Sequence, residues 1–290
     1  LTARMIDATT GYIQLAEFAE NSNAEVGKAL ADLTAKGMKR LVFDLRGNPG
    51  GPLDQAIKIT NRFVPKGEMI VYTRGRVPNS DQDYRATETS QYTNIPMVVI
   101  ANRNSASASE IFTGSMQDHD RAYIVGETTF GKALVQSVYR ISGEAGLALT
   151  TAHYYTPAGR LIQRPWDETF DEYLTYAQRD QDVNKPHSAT DLKRTDAGRS
   201  VYSGGGIEPD KYIAGPKEGF NPTPFGRLLY DRQDFENYAQ RFMAEGDTRV
   251  TQPSTGRQFV RPNFEVTDQM IAEFHEHAVM GLAGQQPDAL

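Results

Sequence analysis

The sequence predicts an α/β layer fold with a helical part behind it. Three observations predict it: period-2 apolar runs alternate with 3.6-period segments, short apolar runs end in glycine-rich turns, and the helical segments carry start and stop signals. Tyr12 to Phe18 alternates as a strand. Ser22-x-x-Glu25 opens an amphipathic helix over 24–36, and Gly37 closes it. Leu41-Val42-Phe43-Asp44-Leu45 reads as a buried strand running into Arg46-Gly47-Asn48-Pro49-Gly50-Gly51-Pro52, a turn with three glycines, before a helix over 53–64. Strands are predicted over 69–73 and 97–100 with a polar stretch, 74–94, between them. A helix over 105–119 and a short strand over 122–125 follow. Residues 134–139 and 147–155 pattern as a hairpin around Ser142–Gly146. Residues 163–200 are polar and poor in aliphatics, so an excursion or flexible loop is expected, and Tyr202–Asp210 returns the chain to the body. From about 225 the periodicity is helical, interrupted over 253–262, with no solenoid repeat.

The 31 basic and 37 acidic residues among 290 give a net charge of −6, and no basic patch offers a footprint for nucleic acid. A hydrophobic fraction of 39% is enough for a sizeable core. The absence of cysteine excludes disulfides, thiolate metal sites and a cysteine nucleophile. The strongest apolar run, Met97–Ala101, ends at Asn102, far short of the ~20 residues a membrane helix needs. Leu1–Met5 supply neither a start methionine nor a signal-peptide core, so the natural N-terminus is expected upstream, or removed, and the chain reads as a fragment.

Five histidines are present: His119, His153, His187, His275 and His277. The serine cluster Ser105-Ala106-Ser107-Ala108-Ser109-Glu110 sits between a strand and a helix, where a nucleophile would be exposed on a turn. His119 lies twelve residues further along the same helix, about 18 Å away at a rise of ~1.5 Å per residue, and cannot be its base. His275-Glu276-His277 lacks the four-residue separation of a helical zinc pair. Gly126–Lys132 follows a strand and imitates a phosphate-binding loop, but Ala133 offers no hydroxyl and a strand pattern follows in place of a helix. The bland account of Ser107 is capping, because Ser107-x-x-Glu110 fits the capping box. Against that account stand a glycine turn after one strand and a lysine, Lys132, after Gly131. A helix N-terminus also offers free N–H groups to a developing oxyanion.

Asp44-Leu45-Arg46-Gly47-Asn48-Pro49-Gly50-Gly51, then Ser105–Ile111, then Gly126-Glu127-Thr128-Thr129-Phe130-Gly131-Lys132 together resemble the C-terminal processing peptidases, also called tail-specific proteases. The resemblance continues through Tyr154-Tyr155-Thr156-Pro157-x-Gly159-Arg160 and Gly204-Gly205-Gly206-Ile207-x-Pro209-Asp210, covering roughly residues 11–213. It implies a Clp/crotonase-like core of repeated ββα units and a serine endopeptidase that cuts C-terminal or unstructured segments of protein substrates. The nucleophile would be Ser107 and the base Lys132. Gln136 would orient the lysine, Asp118 would be a structural residue of the motif, and the oxyanion hole would be the N–H of Ala108 with that of Gly50 or Gly51. A lysine is a general base only when neutral, so burial in an apolar pocket is expected for Lys132. No metal and no cofactor are implied.

The family carries a PDZ domain ahead of the segment corresponding to residue 1. The expectation is therefore a catalytic core over 1–215 and a helical extension over 216–290, taken from a longer exported enzyme of the periplasm or cell envelope. Two other readings compete: a non-catalytic module of the same fold that binds apolar ligands or peptides, and a crotonase-type acyl-CoA enzyme.

Overall fold

The computed structural model describes residues 1–142, 145–164, 187–214, 229, 232–235, 237–239, 250–251, 259–260 and 265–283. The chain divides into two compact units, Leu1–Glu218 and Gly219–Leu290.

In the first unit, β1 (Thr2–Met5), β2 (Thr10–Gln14), β3 (Arg40–Asp44), β6 (Met97–Ala101), β7 (Tyr123–Gly126) and β12 (Lys211–Tyr212) form one sheet in the order β1-β2-β3-β6-β7-β12. The β1–β2 pair is antiparallel and every other pair is parallel. Helices α1 (Ser22–Ala35), α2 (Leu53–Thr60) and α3 (Ala108–Asp118) supply the crossovers. Their apolar faces meet the sheet in one core that contains Ile13, Leu30, Phe43, Ile59, Phe63 and Phe112. Phe43 and Phe112 lie 4.8 Å apart by ring centroid, and Phe63 meets Phe112 edge-on at 5.7 Å.

A second, antiparallel sheet runs β5-β4-β9-β8, from β4 (Met69–Arg74), β5 (Gln82–Arg85), β8 (Leu134–Arg140) and β9 (Gly146–Tyr155). The β8–β9 ladder shifts register between Val135 and Gln136, leaving Thr151 as the extra residue on β9. A small ribbon pairs β10 (Leu192–Arg194) with β11 (Ser200–Tyr202). In the second unit, β13 (Val250–Thr251) pairs with β14 (Phe259–Val260), and α4 (Asp268–Ala283) stacks Phe274 on Phe235 at 4.7 Å.

The elements depart from the sequence pattern in places with identifiable causes. Helix α1 is capped by Asn21, whose side chain donates to Glu25, while Ser22 is buried inside the helix with its Oγ accepting the Ala19 N–H. Strand β5 lies within the stretch read as polar, because an exposed edge strand has no apolar face to alternate. The ribbon β10–β11 lies within the expected excursion, whose residues 165–186 are outside the described residues. Of the expected C-terminal helical part, α4 is helical and the two-residue strand β14 falls inside the interruption read over 253–262; most of the rest lies outside the described residues.

The parallel strands set up the site. The three motif segments leave the C-terminal ends of three neighbouring strands, β3, β6 and β7, which is the edge where open parallel sheets gather their functional loops.

Candidate active site

The first segment leaves β3 through a buried anchor. Asp44 is fully buried and accepts hydrogen bonds from Tyr12 Oη at 2.7 Å and from the Arg46 guanidinium at 2.6–3.1 Å. Burial pushes its carboxyl up, but the Arg46 and Tyr12 donors outweigh it and hold the group below its ordinary value. Asn48 is also fully buried and works in four directions. Its Nδ2 donates to Leu15 O and its Oδ1 accepts the Gly50 N–H. Its carbonyl accepts the Ala106 N–H at 2.9 Å and the Ser109 hydroxyl at 3.0 Å.

These bonds fasten the glycine turn to the serine turn. A Cβ on Gly50, at φ +99°, would lie 2.7 Å from Ser107 Cβ and 2.9 Å from Ala108 N, so only glycine allows the approach. A Cβ on Gly51, at φ +148°, would fall 1.8 Å from Phe18 O.

The second segment resolves the three serines. Ser105 and Ser109 are fully buried and spend their hydroxyls on the Leu45 and Asn48 carbonyls. Ser107 is partly exposed at the N-cap of α3, with φ 55° and ψ −114°. A non-glycine residue at positive φ and outside the left-handed helical basin is strained by about 1–3 kcal/mol. Such strain on a strand-to-helix turn is the geometry that exposes a nucleophile. Ala108, the first helical residue, has no intrahelical acceptor for its N–H. The Gly50 N–H is already given to Asn48, so Gly51 is the member of that pair whose N–H carries no hydrogen bond among the described residues.

The capping box expected of Ser107 and Glu110 is present, and it is half of a larger device. The Glu110 carboxylate is fully buried and accepts four hydrogen bonds: from Ser107 N at 2.8 Å, Thr129 Oγ1 at 2.6 Å, Gly131 N at 2.7 Å and Lys132 N at 2.9 Å. One carboxylate thus ties the backbone of the serine to the backbone of the lysine. Burial raises its pKa to about 7 against the pull of those donors. The sequence carried Glu110 only as a cap; its reach to residues 129–132 depends on a strand pairing that no local pattern displays.

The third segment holds Lys132 by its main chain. Besides the bond to Glu110, its carbonyl accepts from Tyr154 Oη. Its side chain, however, is exposed, which corrects the expectation of a buried base. Gly131 and Ala133 face inward on either side, the Ala133 N–H bonding to Gln163 Oε1, so the alternation turns Lys132 outward. Gln136 is likewise exposed, on β8.

Asp118 sits at the other end of α3, about 16 Å from Ser107 by helical rise. It is buried and pairs with Arg160 at 2.5 Å, an anchor that also receives the Ala158 N–H. His119 caps the C-terminus of α3, donating from Nε2 to Met69 O, which leaves it far from the serine. His275 is exposed on α4.

The profile of peptidase family S41 matches residues 9–167. A carboxy-terminal-processing protease of Bartonella bacilliformis is 43% identical over 162 residues, 54% of this chain and 37% of that protein. A carboxyl-terminal-processing protease of a Synechocystis species is 43% identical over 149 residues, 51% of this chain and 34% of that one. The solved photosystem II D1 C-terminal processing protease superposes with a TM-score of 0.52 at 28% identity, covering 75% of this chain and 45% of that chain. The alignments span about a third of the length of these curated relatives.

Proposed function

Because the chain belongs to peptidase family S41, we propose that it is the catalytic part of a serine endopeptidase of the carboxyl-terminal processing kind, working through a Ser107/Lys132 dyad. The observation that carries this reading is the single buried carboxylate of Glu110, which binds the strained Ser107 turn and the Lys132 main chain at once. A merely capped helix has no need to hold a lysine twenty-odd residues away.

In this reading the Ser107 hydroxyl adds to the carbonyl carbon of a peptide bond, and its proton passes to a neutral Lys132 Nζ. The oxyanion is received by the N–H groups of Ala108 and Gly51. Collapse of the tetrahedral adduct breaks the C–N bond, the lysine returns the proton to the leaving amine, and water hydrolyses the acyl-serine by the same route. Gln136 positions the lysine. An exposed Lys132 means that the substrate chain itself, lying over β8, strips water from the amine.

The proposed frame is a Clp/crotonase-like core over 1–215, with 216–290 an added helical part. The substrates are C-terminal or unstructured protein segments, and the setting is the periplasm or cell envelope, as for an exported enzyme. A non-catalytic module leaves both Ser107 and Lys132 without a role.

Ser107→Ala should lower kcat on an unfolded protein substrate by at least ~10³-fold with its melting temperature retained. Cleavage at the wild-type rate by that variant would overturn the reading.

A further inference from the structure

Away from the reacting groups, three side chains from three elements converge at the far end of α3. His119 keeps only 7% of its side chain exposed, and its Nε2 lies 2.7 Å from the carbonyl oxygen of Met69, the first residue of β4. A carbonyl oxygen can only accept, so that contact fixes a proton on Nε2. Nδ1 then faces Asp196 Oδ2 at 2.7 Å, in the turn between β10 and β11, and Glu68 Oε2 at 3.9 Å. A ring nitrogen lone pair set against two carboxylates calls for a cation between them, either a second proton or a metal ion.

The geometry points to a divalent transition-metal site, Zn²⁺ in class, formed by His119 Nδ1 and the carboxylates of Asp196 and Glu68. The three donor atoms all lie within 4.8 Å of one another. Ligands on a tetrahedral zinc at ~2.0–2.2 Å stand roughly 3.4 Å apart, so the Asp196 contact at 2.7 Å must open by about 0.7 Å and the Glu68 contact at 3.9 Å close by about 0.5 Å. Both carboxylate side chains are free to do this, being 66% and 49% exposed, whereas the imidazole is held still. A histidine oriented by a backbone carbonyl through its other nitrogen is the usual outer support of a metal ligand. The Asp196 main chain is fixed as well, its N–H donating to Asp118 O at 2.8 Å. One nitrogen and two oxygens on a solvent-facing site leave a position for water and suit Zn²⁺ better than Mg²⁺, which favours an octahedral oxygen shell.

The ion ties the β10–β11 ribbon and the start of β4 to the helix that carries Ser107. At about 18 Å from that serine along α3, it acts on the stability of the frame and takes no part in peptide cleavage.

The test is thermal melting of the whole chain in excess Zn²⁺, in Mg²⁺ and in EDTA, for wild type, Asp196→Asn and the Glu68→Gln/Asp196→Asn pair, with calorimetric Zn²⁺ titration. Wild type should melt about 5 °C or more higher in Zn²⁺ than in EDTA and show no such gain in Mg²⁺. Asp196→Asn should weaken Zn²⁺ binding at least tenfold, and the pair should abolish the shift. These exposed substitutions leave the core intact, and their EDTA melts verify it. Equal melting of wild type in Zn²⁺ and EDTA would leave a proton-held ion pair only and overturn the site. A zinc shift that survives in the double variant would place the binding elsewhere and overturn it equally.

Discussion

The serine side and the lysine side of the candidate site are built in opposite ways. Around Ser107 every support is buried and hydrogen-bonded: Asn48 joins the glycine turn to the serine turn, and Glu110 satisfies four donors at once. Around Lys132 the main chain is clamped at both its N–H and its carbonyl, but the side chain is exposed, two residues before the edge strand β8 of the antiparallel sheet. In the proposed reading the difference teaches that the fold itself supplies the position of the proposed nucleophile and oxyanion donors, whereas the low-dielectric surroundings of the proposed base are left to whatever covers that segment.

The sharpest way to break this comparison is Lys132→Met. If the lysine serves only chemistry, the variant should lose at least ~10³-fold in kcat while its stability in a denaturant melt stays within about 0.5 kcal/mol of wild type, as for other exposed positions. A stability loss of several kcal/mol would show that the side chain is part of the frame after all.

Glu110→Gln should show the opposite balance. The amide puts an N–H₂ among donors that need an acceptor, leaving at least one buried N–H unpaired, at a cost of roughly 3 kcal/mol in stability. Activity should fall about 10²-fold through misplacement of the two segments, because a small displacement of oriented groups costs that much. Paired melts and kcat measurements on the two variants decide whether frame and chemistry are divided between Glu110 and Lys132 in this way.

The raised pKa of Glu110 gives a third test, in which stability and activity move apart. Its folded value of about 7 lies above its ordinary 4.5, so the stability it contributes through proton uptake is fully present below about 4.5 and is lost as pH rises through about 7. Activity requires the ionised form, whose oxygens hold Ser107, Gly131 and Lys132 together. Cleavage should therefore drop up to tenfold per pH unit below about 7 while thermal stability does not fall with it. Carbon-13 shifts of the Glu110 carboxyl, followed in Lys132→Met, should titrate near the same pH; a midpoint near 4.5 would remove Glu110 as the source of the acid limb.

Much of this was legible in the chain because the relevant signals are local. Periodicity displayed the buried strands β3 and β6, glycines marked the turn at 47–51, and the serine run stood at a strand-to-helix junction. What stayed hidden depends on contacts between distant segments. Asn48 read as an ordinary turn residue, and only the packing of β3 against β6 sets its carbonyl over Ala106 and Ser109. Glu110 read as a cap, since its partners at 129–132 arrive from β7. Strand β5 carries no alternation to detect. The burial expected of Lys132 failed because it was inferred from the chemistry a base requires, and a requirement of the reaction is not a property of the resting chain.

The smallest expected effect concerns Gln136. It is exposed on β8, four residues beyond the exposed Lys132, and the ladder shifts register immediately before it, between Val135 and Gln136. The extra residue of that shift, Thr151, lies on the facing strand β9, and Gln136 falls four residues from the lysine, where an amide can accept from the ammonium and limit its rotamers. Both side chains are solvated, so the restraint is modest and a substrate lying over the strand would supply part of it. Gln136→Ala should accordingly lower kcat by less than tenfold with KM nearly unchanged, the pattern of an orientation lost in the transition state. Gln136→Glu should restore most of that loss if hydrogen bonding to the amine is what matters. A variant that raises KM and leaves kcat alone would instead assign Gln136 to substrate contact, and the lysine side would then have no positioning residue on the strand that follows it.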